Sequence, residues 1–436
     1  MRVAVVGAGW AGCAAAIEAR RQGHQVLLLE AARQVGGRAR RLNLAQAGAG
    51  AQAGTAWVLD NGQHILIGAY RDCLQLMREL GVAPEQHLRR LPMALCTPDG
   101  AGLTLPAGWP PRLAVLAGVL VAKGWRWRDK LSVLQCAMGW QRAGFDCPAD
   151  WSVARLCQGL SATVFDSLIE PLCVSALNTP AERASGQVFL RVLKDALFGE
   201  AGGADLLLPL TDLSALLPDA AVAWLQAQGQ ETKLGARVQA MSRTASGWAL
   251  LTQVETLIAD AVLLACPTTE ATRLLKPLLG SVAWVQTASA LQHEAIATVY
   301  AWASQARLPQ AMLALHAGSA GPAQFVFDRG QLGGPAGLLA FVVSASAGER
   351  GALAHAVLAQ AGAQLGLTDL EVISTVVEKR ATFACIPGLL RPGMQPLEAE
   401  QRLQVCGDYV AGPYPATLEG AVRSGLAAAR ALGRST

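Results

Sequence analysis

A short apolar strand candidate, Arg2 to Val6, runs straight into Gly7-Ala8-Gly9-Trp10-Ala11-Gly12, and this junction constrains the chain more than any other feature. An alanine-rich helix candidate follows from Cys13 to Gln22, with Gly23 where a helix C-cap favours glycine. A second strand candidate, Gln25 to Leu29, ends on Glu30. Each part answers a need of a bound dinucleotide. Gly7 permits the tight turn, Ala8 and Gly9 let the backbone approach a pyrophosphate, and Gly12 lets the helix pack close to the strand. The helix N-terminus offers free N–H groups to the anion, and Glu30, 21 residues after Gly9, is placed to accept ribose hydroxyls. Alone among 45 glycines the G-x-G-x-x-G carries little weight. With strand, glycines, helix, strand and acid in order, it marks a Rossmann-type dinucleotide-binding unit.

The 436 residues suggest two closely linked domains. Hydrophobic residues make up 52% and charged residues 16%, so either buried surface is large or some apolar surface meets lipid. The net charge is +4, with Lys and Arg spread along the chain, which argues against nucleic-acid binding. The opening residues enter the first strand without the pattern of a signal peptide, and ten scattered cysteines form no Cys-x-x-Cys pair and no zinc spacing. The expectation is a cytoplasmic protein with reduced cysteines and no metal. Leu113 to Ala122 is too short to span a bilayer, but Trp109-Pro110-Pro111-Arg112 precedes it and Lys123-Gly124-Trp125-Arg126-Trp127-Arg128-Asp129-Lys130 follows. Trp beside Lys and Arg suits a membrane interface, so Trp109 to Lys130 is a candidate peripheral contact on the inner face of the cytoplasmic membrane. A core helix with a solvated basic turn is the other reading.

Further motifs narrow the nucleotide. Ala31 to Arg38 carries a diglycine, Gly36-Gly37, ending in Arg38. Gly235-Ala236-Arg237-Val238 precedes an alternating stretch, Gly247 to Thr252, and then Ala259 to Pro267. Near the C-terminus a strand candidate, Arg402 to Cys406, meets Gly407-Asp408, and Pro415 to Gly425 opens a helix. This set resembles the FAD-dependent amine oxidase and carotenoid desaturase superfamily. The resemblance implies an α/β fold: a Rossmann-type FAD-binding domain of the amine oxidase kind with an inserted α+β substrate domain. It implies FAD-domain segments at 1–85, 220–280 and 395–436, and a substrate and membrane-docking domain at 86–219 and 281–394. It further implies that Gly36, Gly37 and Arg38 wrap the flavin's phosphates and ribityl chain, that Val238 offers backbone to adenine, and that Asp408 meets the ribityl hydroxyls. The helix containing Thr417 and Ala421 then points its N-terminus at the flavin's pyrimidine edge. Cys406 precedes the ribityl Asp, so FAD is expected to be noncovalent.

Three more stretches, Leu59 to Arg71, Glu170 to Ser185 and Glu378 to Ala384, resemble the bacterial hydroxysqualene dehydroxylases over nearly the whole chain. Gly48 to Gly54 looks like a small loop insertion. The resemblance implies that a triterpenoid alcohol loses its allylic hydroxyl and gains a hydride from reduced FAD, in hopanoid or related triterpene synthesis, with an electron donor that the sequence does not name. His64 is the expected acid, Gln63 the group orienting the hydroxyl or the flavin edge, and Lys379 an alternative that holds a water near N5. Asn178 and Tyr414 are further candidates. A histidine in a glycine loop also serves as a plain hydrogen-bonder. The competing readings are a polyene desaturase, an amine oxidase and a non-enzymatic prenyl-lipid carrier. The four tyrosines form no evident pair near the C-terminal segment, which counts against the amine oxidase. The complete set of nucleotide residues counts against the carrier.

Overall fold

The computed structural model describes residues 1–44, 57–279, 282–318, 321–394 and 402–433; the loop insertion expected at Gly48 to Gly54 lies outside them. Five short parallel strands form the sheet that carries the nucleotide unit, in the order Glu231–Lys233, Gln25–Leu29, Arg2–Val6, Ala261–Leu264 and Leu403–Val405. Strands buried on both faces read as continuous apolar runs, which is why RVAVV, QVLLL and AVLL pair here. Alternate side chains separate two cores. Val3, Val5, Val26, Leu28, Ala261 and Leu263 meet the helix Trp10–Arg21 and the C-terminal helix Leu418–Arg430. Ala4, Val6, Leu27, Leu29, Val262 and Leu264 face a larger core that continues through Trp248 to Phe189 and Tyr300 in the inserted part. The first helix starts at Trp10, ahead of the expected Cys13, because Gly9 is its N-cap.

The inserted part is built on a five-stranded antiparallel sheet in the order Met312–Ala314, Phe325–Asp328, Leu338–Ser344, His293–Trp302 and Glu371–Phe383. The last two are the longest strands of the fold, and a register shift between Glu294 and Ile296 leaves Lys379 to Ala381 as extra residues on the longer one. The parallel sheet draws strands from all three segments expected to make the FAD domain. Leu66–Ile67, from the first segment, pairs instead with Leu206–Pro209 and so ties that segment into the insertion. Helices Pro111–Val121, Trp127–Arg142 and Gly186–Leu197 cover another side. One expectation for this region is overturned: Trp125 is 7% exposed, and its indole N–H donates to Ser167 Oγ at 3.0 Å, so it is a core residue.

The two helices beside the nucleotide sheet touch backbone to backbone at Gly425, where a Cβ would lie 2.1 Å from the Ala11 carbonyl oxygen. Gly425→Ala should therefore cost about 3 kcal/mol by overpacking, read as a lower urea midpoint at unchanged slope. A change below about 0.5 kcal/mol, the usual size at surface sites, would mean that the helices separate freely.

Candidate active site

The dinucleotide cradle is formed by backbone. The Trp10–Arg21 helix has no side-chain cap and no acid in its first turn, which leaves its positive end open to an anion. Gly36 donates its N–H to the Ala8 carbonyl at 2.8 Å, laying the diglycine against the first loop. A Cβ on Gly37 would stand 3.2 Å from the Gly9 Cα, and Gly37 has φ +63°, so glycine is required for this approach. Glu30 closes the second strand with its carboxylate accepting from the Ala8 N–H at 2.7 Å and the Ala32 N–H at 2.8 Å. A carboxylate has about four lone-pair sites, so ribose hydroxyls still find acceptors there. The Val238 carbonyl accepts from Arg273 at 2.7 Å, which leaves an adenine contact to its N–H. These features fit the adenosine and diphosphate of FAD.

Arg38 does something different from the phosphate role expected of it. Its Nη2 meets Asp408 Oδ1 at 2.5 Å, and its Nη1 donates to the Ala381 carbonyl at 2.6 Å. Burial works against the guanidinium charge, but Asp408 outweighs it and holds Arg38 above its ordinary value. The diglycine loop, the long Glu371–Phe383 strand and the C-terminal Gly-Asp turn are thus clamped together. One carboxylate oxygen of Asp408 remains for a ribityl hydroxyl. Thr417 caps the C-terminal helix, accepting from the Gly420 N–H at 3.0 Å, so its hydroxyl shapes the helix end. Ala421 lies buried in the same first turns. Glu419, which sequence reasoning passed over, is fully buried and accepts from the N–H groups of Asp72 and Cys73, fixing the helix Arg71–Glu79 against this end.

The Asp-Asn-Gly-Gln-His burst spends most of its polar atoms on its own shape. Asn61 donates to the Arg38 carbonyl at 3.0 Å and to Glu378 Oε2 at 3.3 Å. The Gln63 N–H reaches Thr298 Oγ1, and Arg329 donates to Gln63 Oε1, both at 3.3 Å. Tyr300 OH donates to the Asp60 carbonyl at 3.0 Å. Burial pushes the Asp60 carboxyl up to about 6, while Oδ1 accepts the Leu213 N–H at 2.9 Å. Thr298, Tyr300 and Arg329 were missed in the sequence because only the fold brings them beside this loop, and Glu378 stood at the head of a distinctive stretch with no role assigned to it.

His64 donates through Nδ1 to the Gly62 carbonyl at 2.9 Å, since a carbonyl can only accept. Burial pushes the imidazole below its ordinary value, and the Arg38 charge adds to this although the Gly62 bond opposes it. The neutral ring then carries an accepting Nε2. That is opposite to the acid role expected of it.

Three other expectations change. Lys379 is exposed on the irregular part of its strand, and its neighbours Glu378 and Arg380 are the ones that reach the site. Asn178 is buried in a left-handed turn, bonded to Thr382 Oγ1 and the Ala345 N–H, and serves structure. The tyrosines do pair: Tyr70 and Tyr414 lie edge to face at 6.2 Å, next to Thr417. The Arg423 guanidinium sits 5.4 Å over the Tyr414 ring, however, so one aromatic face already holds a cation.

The match to known proteins follows this geometry. Residues 10–433 match the flavin-containing amine oxidoreductase family. A hydroxysqualene dehydroxylase of Rhodopseudomonas palustris is 30% identical, covering 98% of this chain and 97% of its own. The chain belongs to the hydroxysqualene dehydroxylase family within the flavin-containing amine oxidoreductases. A second member, from Sinorhizobium fredii, is 25% identical over the same shares. Among solved structures, a putative protoporphyrinogen oxidase from Exiguobacterium superposes with a TM-score of 0.69 at 18% identity, covering 98% of each chain. Cyclohexylamine oxidase from Brevibacterium oxydans gives 0.68 at 18%, covering 99% of this chain and 98% of its own. These two establish the α/β fold alone. As a member of its family the chain is an FAD-dependent oxidoreductase.

Removing the acceptor of the clamp gives a direct test of the cofactor assignment. Asp408→Ala should weaken FAD binding roughly 10- to 100-fold, the worth of hydrogen bonds to a charged group, read by flavin fluorescence quenching. Retention at the wild-type dissociation constant would remove Asp408 from the site. For His64 the folded value lies below the unfolded one, so its contribution to stability is present above about pH 6.5 and is lost as pH falls. Melting curves of wild type and His64→Gln should diverge on the acid side of that pH, with the wild type losing more; parallel curves would contradict the burial of the ring.

Proposed function

We propose that the chain reduces hydroxysqualene to squalene with FAD, in the synthesis of hopanoids or related triterpenoids. The observation that carries this reading is similarity along nearly the full length of two relatives that both bear the name hydroxysqualene dehydroxylase. When bound in its reduced form, FAD supplies a hydride to the carbon that loses the hydroxyl. The balance is one alcohol, one hydride and one proton in, and one hydrocarbon and one water out.

The chain's own residues have three tasks. The Arg38–Asp408 clamp fixes the acceptor that orients the ribityl chain, and the Gly9 and Gly37 backbones hold the diphosphate. The loop of Gln63 and His64 supplies polar atoms at one point of an apolar wall. Thr298, which anchors Gln63, pairs directly with Val376, and Ile296, Ile373 and Val376 on the same two strands are half-buried apolar residues. In that setting His64 Nε2 accepts the substrate hydroxyl's hydrogen bond and fixes where that hydroxyl sits. The proton that carries the oxygen off as water is delivered at this polar loop from solvent, while the apolar wall keeps water from the developing allyl cation. A hydrocarbon of this size arrives from lipid, so the enzyme works at a membrane surface.

A polyene desaturase would share this fold, cofactor and wall. Purified protein with FAD and dithionite, kept anaerobic, should convert hydroxysqualene to squalene by gas chromatography–mass spectrometry. His64→Ala should lower kcat/KM by about tenfold, the worth of one lost hydrogen bond. Product made only by oxidised flavin from a saturated precursor would assign the desaturase instead.

A further inference from the structure

The two helices Pro111–Val121 and Trp127–Arg142 are amphipathic the wrong way round for a protein core. The first buries only its small residues Ala114 and Gly118 together with Val119. It lies so close to the end of the short strand Gly102–Thr104 that a Cβ on Gly118 would meet the Thr104 carbonyl oxygen at 3.0 Å and Cδ2 of the following Leu105 at 2.7 Å. Its large residues Leu113, Leu116, Leu120 and Val121 point outward, and Val121 is 68% exposed. The second helix has 16 residues, of which only Asp129 and Val133 are buried. Trp127, Leu131 and Met138 form an exposed apolar stripe at helical spacing, and Trp127 is 69% exposed. Trp109 adds a third element beside the first helix. Half of the large exposed apolar side chains among the described residues, eight of sixteen, therefore come from this one stretch of chain.

Charge decides what covers this face. Between Trp109 and Arg142 the sequence carries Arg112, Lys123, Arg126, Arg128, Lys130 and Arg142 against the single acid Asp129. Asp129 is buried and bonds the Arg126 N–H at 2.8 Å as part of the helix cap. The exposed charges that this stretch itself brings to the face are thus cationic. A symmetric second copy would place the same surface against itself and oppose like charges, which disfavours a dimer here. An anionic bilayer satisfies both halves: acyl chains take up the leucines and tryptophans, and headgroup phosphates take up the arginines and lysines. At 11 residues the first helix is about half the length needed to span a bilayer, so it lies in the interface.

We propose that Trp109, Leu113, Leu116, Leu120, Trp127 and Leu131, framed by that basic rim, form a docking face for anionic phospholipid. This names the lipid and the surface for the membrane setting of the reaction proposed above, and it rests on that reading only for its purpose. The face also explains how this chain keeps so apolar a surface: each of the two helices is held on the fold by two or three buried residues while its bulky exposed ones stay free for lipid.

The test is co-sedimentation of the FAD-loaded protein with phosphatidylcholine vesicles and with phosphatidylcholine–phosphatidylglycerol vesicles. Binding should favour the mixed vesicles and weaken with salt. Leu120→Ser and Trp127→Ser should each lower partitioning roughly tenfold, and Arg112→Gln with Lys123→Gln and Arg128→Gln should abolish the preference for the anionic vesicles. Flavin absorbance and melting temperature of each variant, unchanged from wild type, show that the fold is intact. Equal binding of wild type and variants overturns the proposal, as does sedimentation with neither vesicle. Dimerisation that the apolar variants abolish, without vesicle binding, assigns the face to a second copy. No arm needs substrate, so conversion of detergent-dispersed hydroxysqualene succeeds or fails separately.

Discussion

Arg38 and Asp408 are 370 positions apart in the chain and meet at 2.5 Å, and the cofactor end of the molecule is organised around that contact. The pair sits where three segments converge, with the Ala381 carbonyl taking another guanidinium N–H. Breaking a mostly buried ion pair from one side leaves the other charge stranded, so each segment is held by the cost of losing the other two. The clamp also sets the electrostatics nearby. The Arg38 charge adds to burial in holding His64 below its ordinary value, and Asn61 links the Arg38 carbonyl to Glu378 on the antiparallel sheet. The diglycine loop, the Asp60 to His64 loop and the long Glu371–Phe383 strand are in this way one hydrogen-bonded unit.

How much of this could be read beforehand follows from the range of each interaction. The nucleotide unit was legible because its signals are local: a strand, a turn and a helix N-terminus within the first 30 residues impose glycines at fixed spacing. Asp408 and the C-terminal helix were legible as a motif, but their pairing with Arg38 was not, since no local spacing encodes a partner hundreds of residues away. The Asp60 to His64 loop announced itself as polar residues in apolar surroundings. What it binds to depends on Thr298, Tyr300 and Arg329, whose own local sequence is unremarkable strand and turn, and on Glu378, whose stretch stood out while its partner did not. Lys379 was misread for a related reason, because the register shift beside it cannot be seen without the partner strand.

The same limit governed the tryptophans. Trp109, Trp125 and Trp127 look alike in a stretch of Trp, Lys and Arg, yet Trp125 finds Ser167 Oγ in the interior while Trp127 stays outside with Arg128 5.8 Å over its ring. Composition marked a stretch with exposed tryptophans but not which of the three is buried. Helical phase separates them only once the helix start at Trp127 is known.

The strand order has a consequence for how the molecule comes into being. Arg2–Val6 pairs with Ala261–Leu264, which in turn pairs with Leu403–Val405 at the sheet's edge. At ordinary rates of synthesis the first strand leaves the ribosome on the order of tens of seconds before the last one exists. Through that interval an apolar strand edge stands open, and the carboxylate that completes the clamp has not been made. Loss of the final strand and helix would leave the N-terminal unit with its glycines in place and the Arg38–Asp408 clamp unmade.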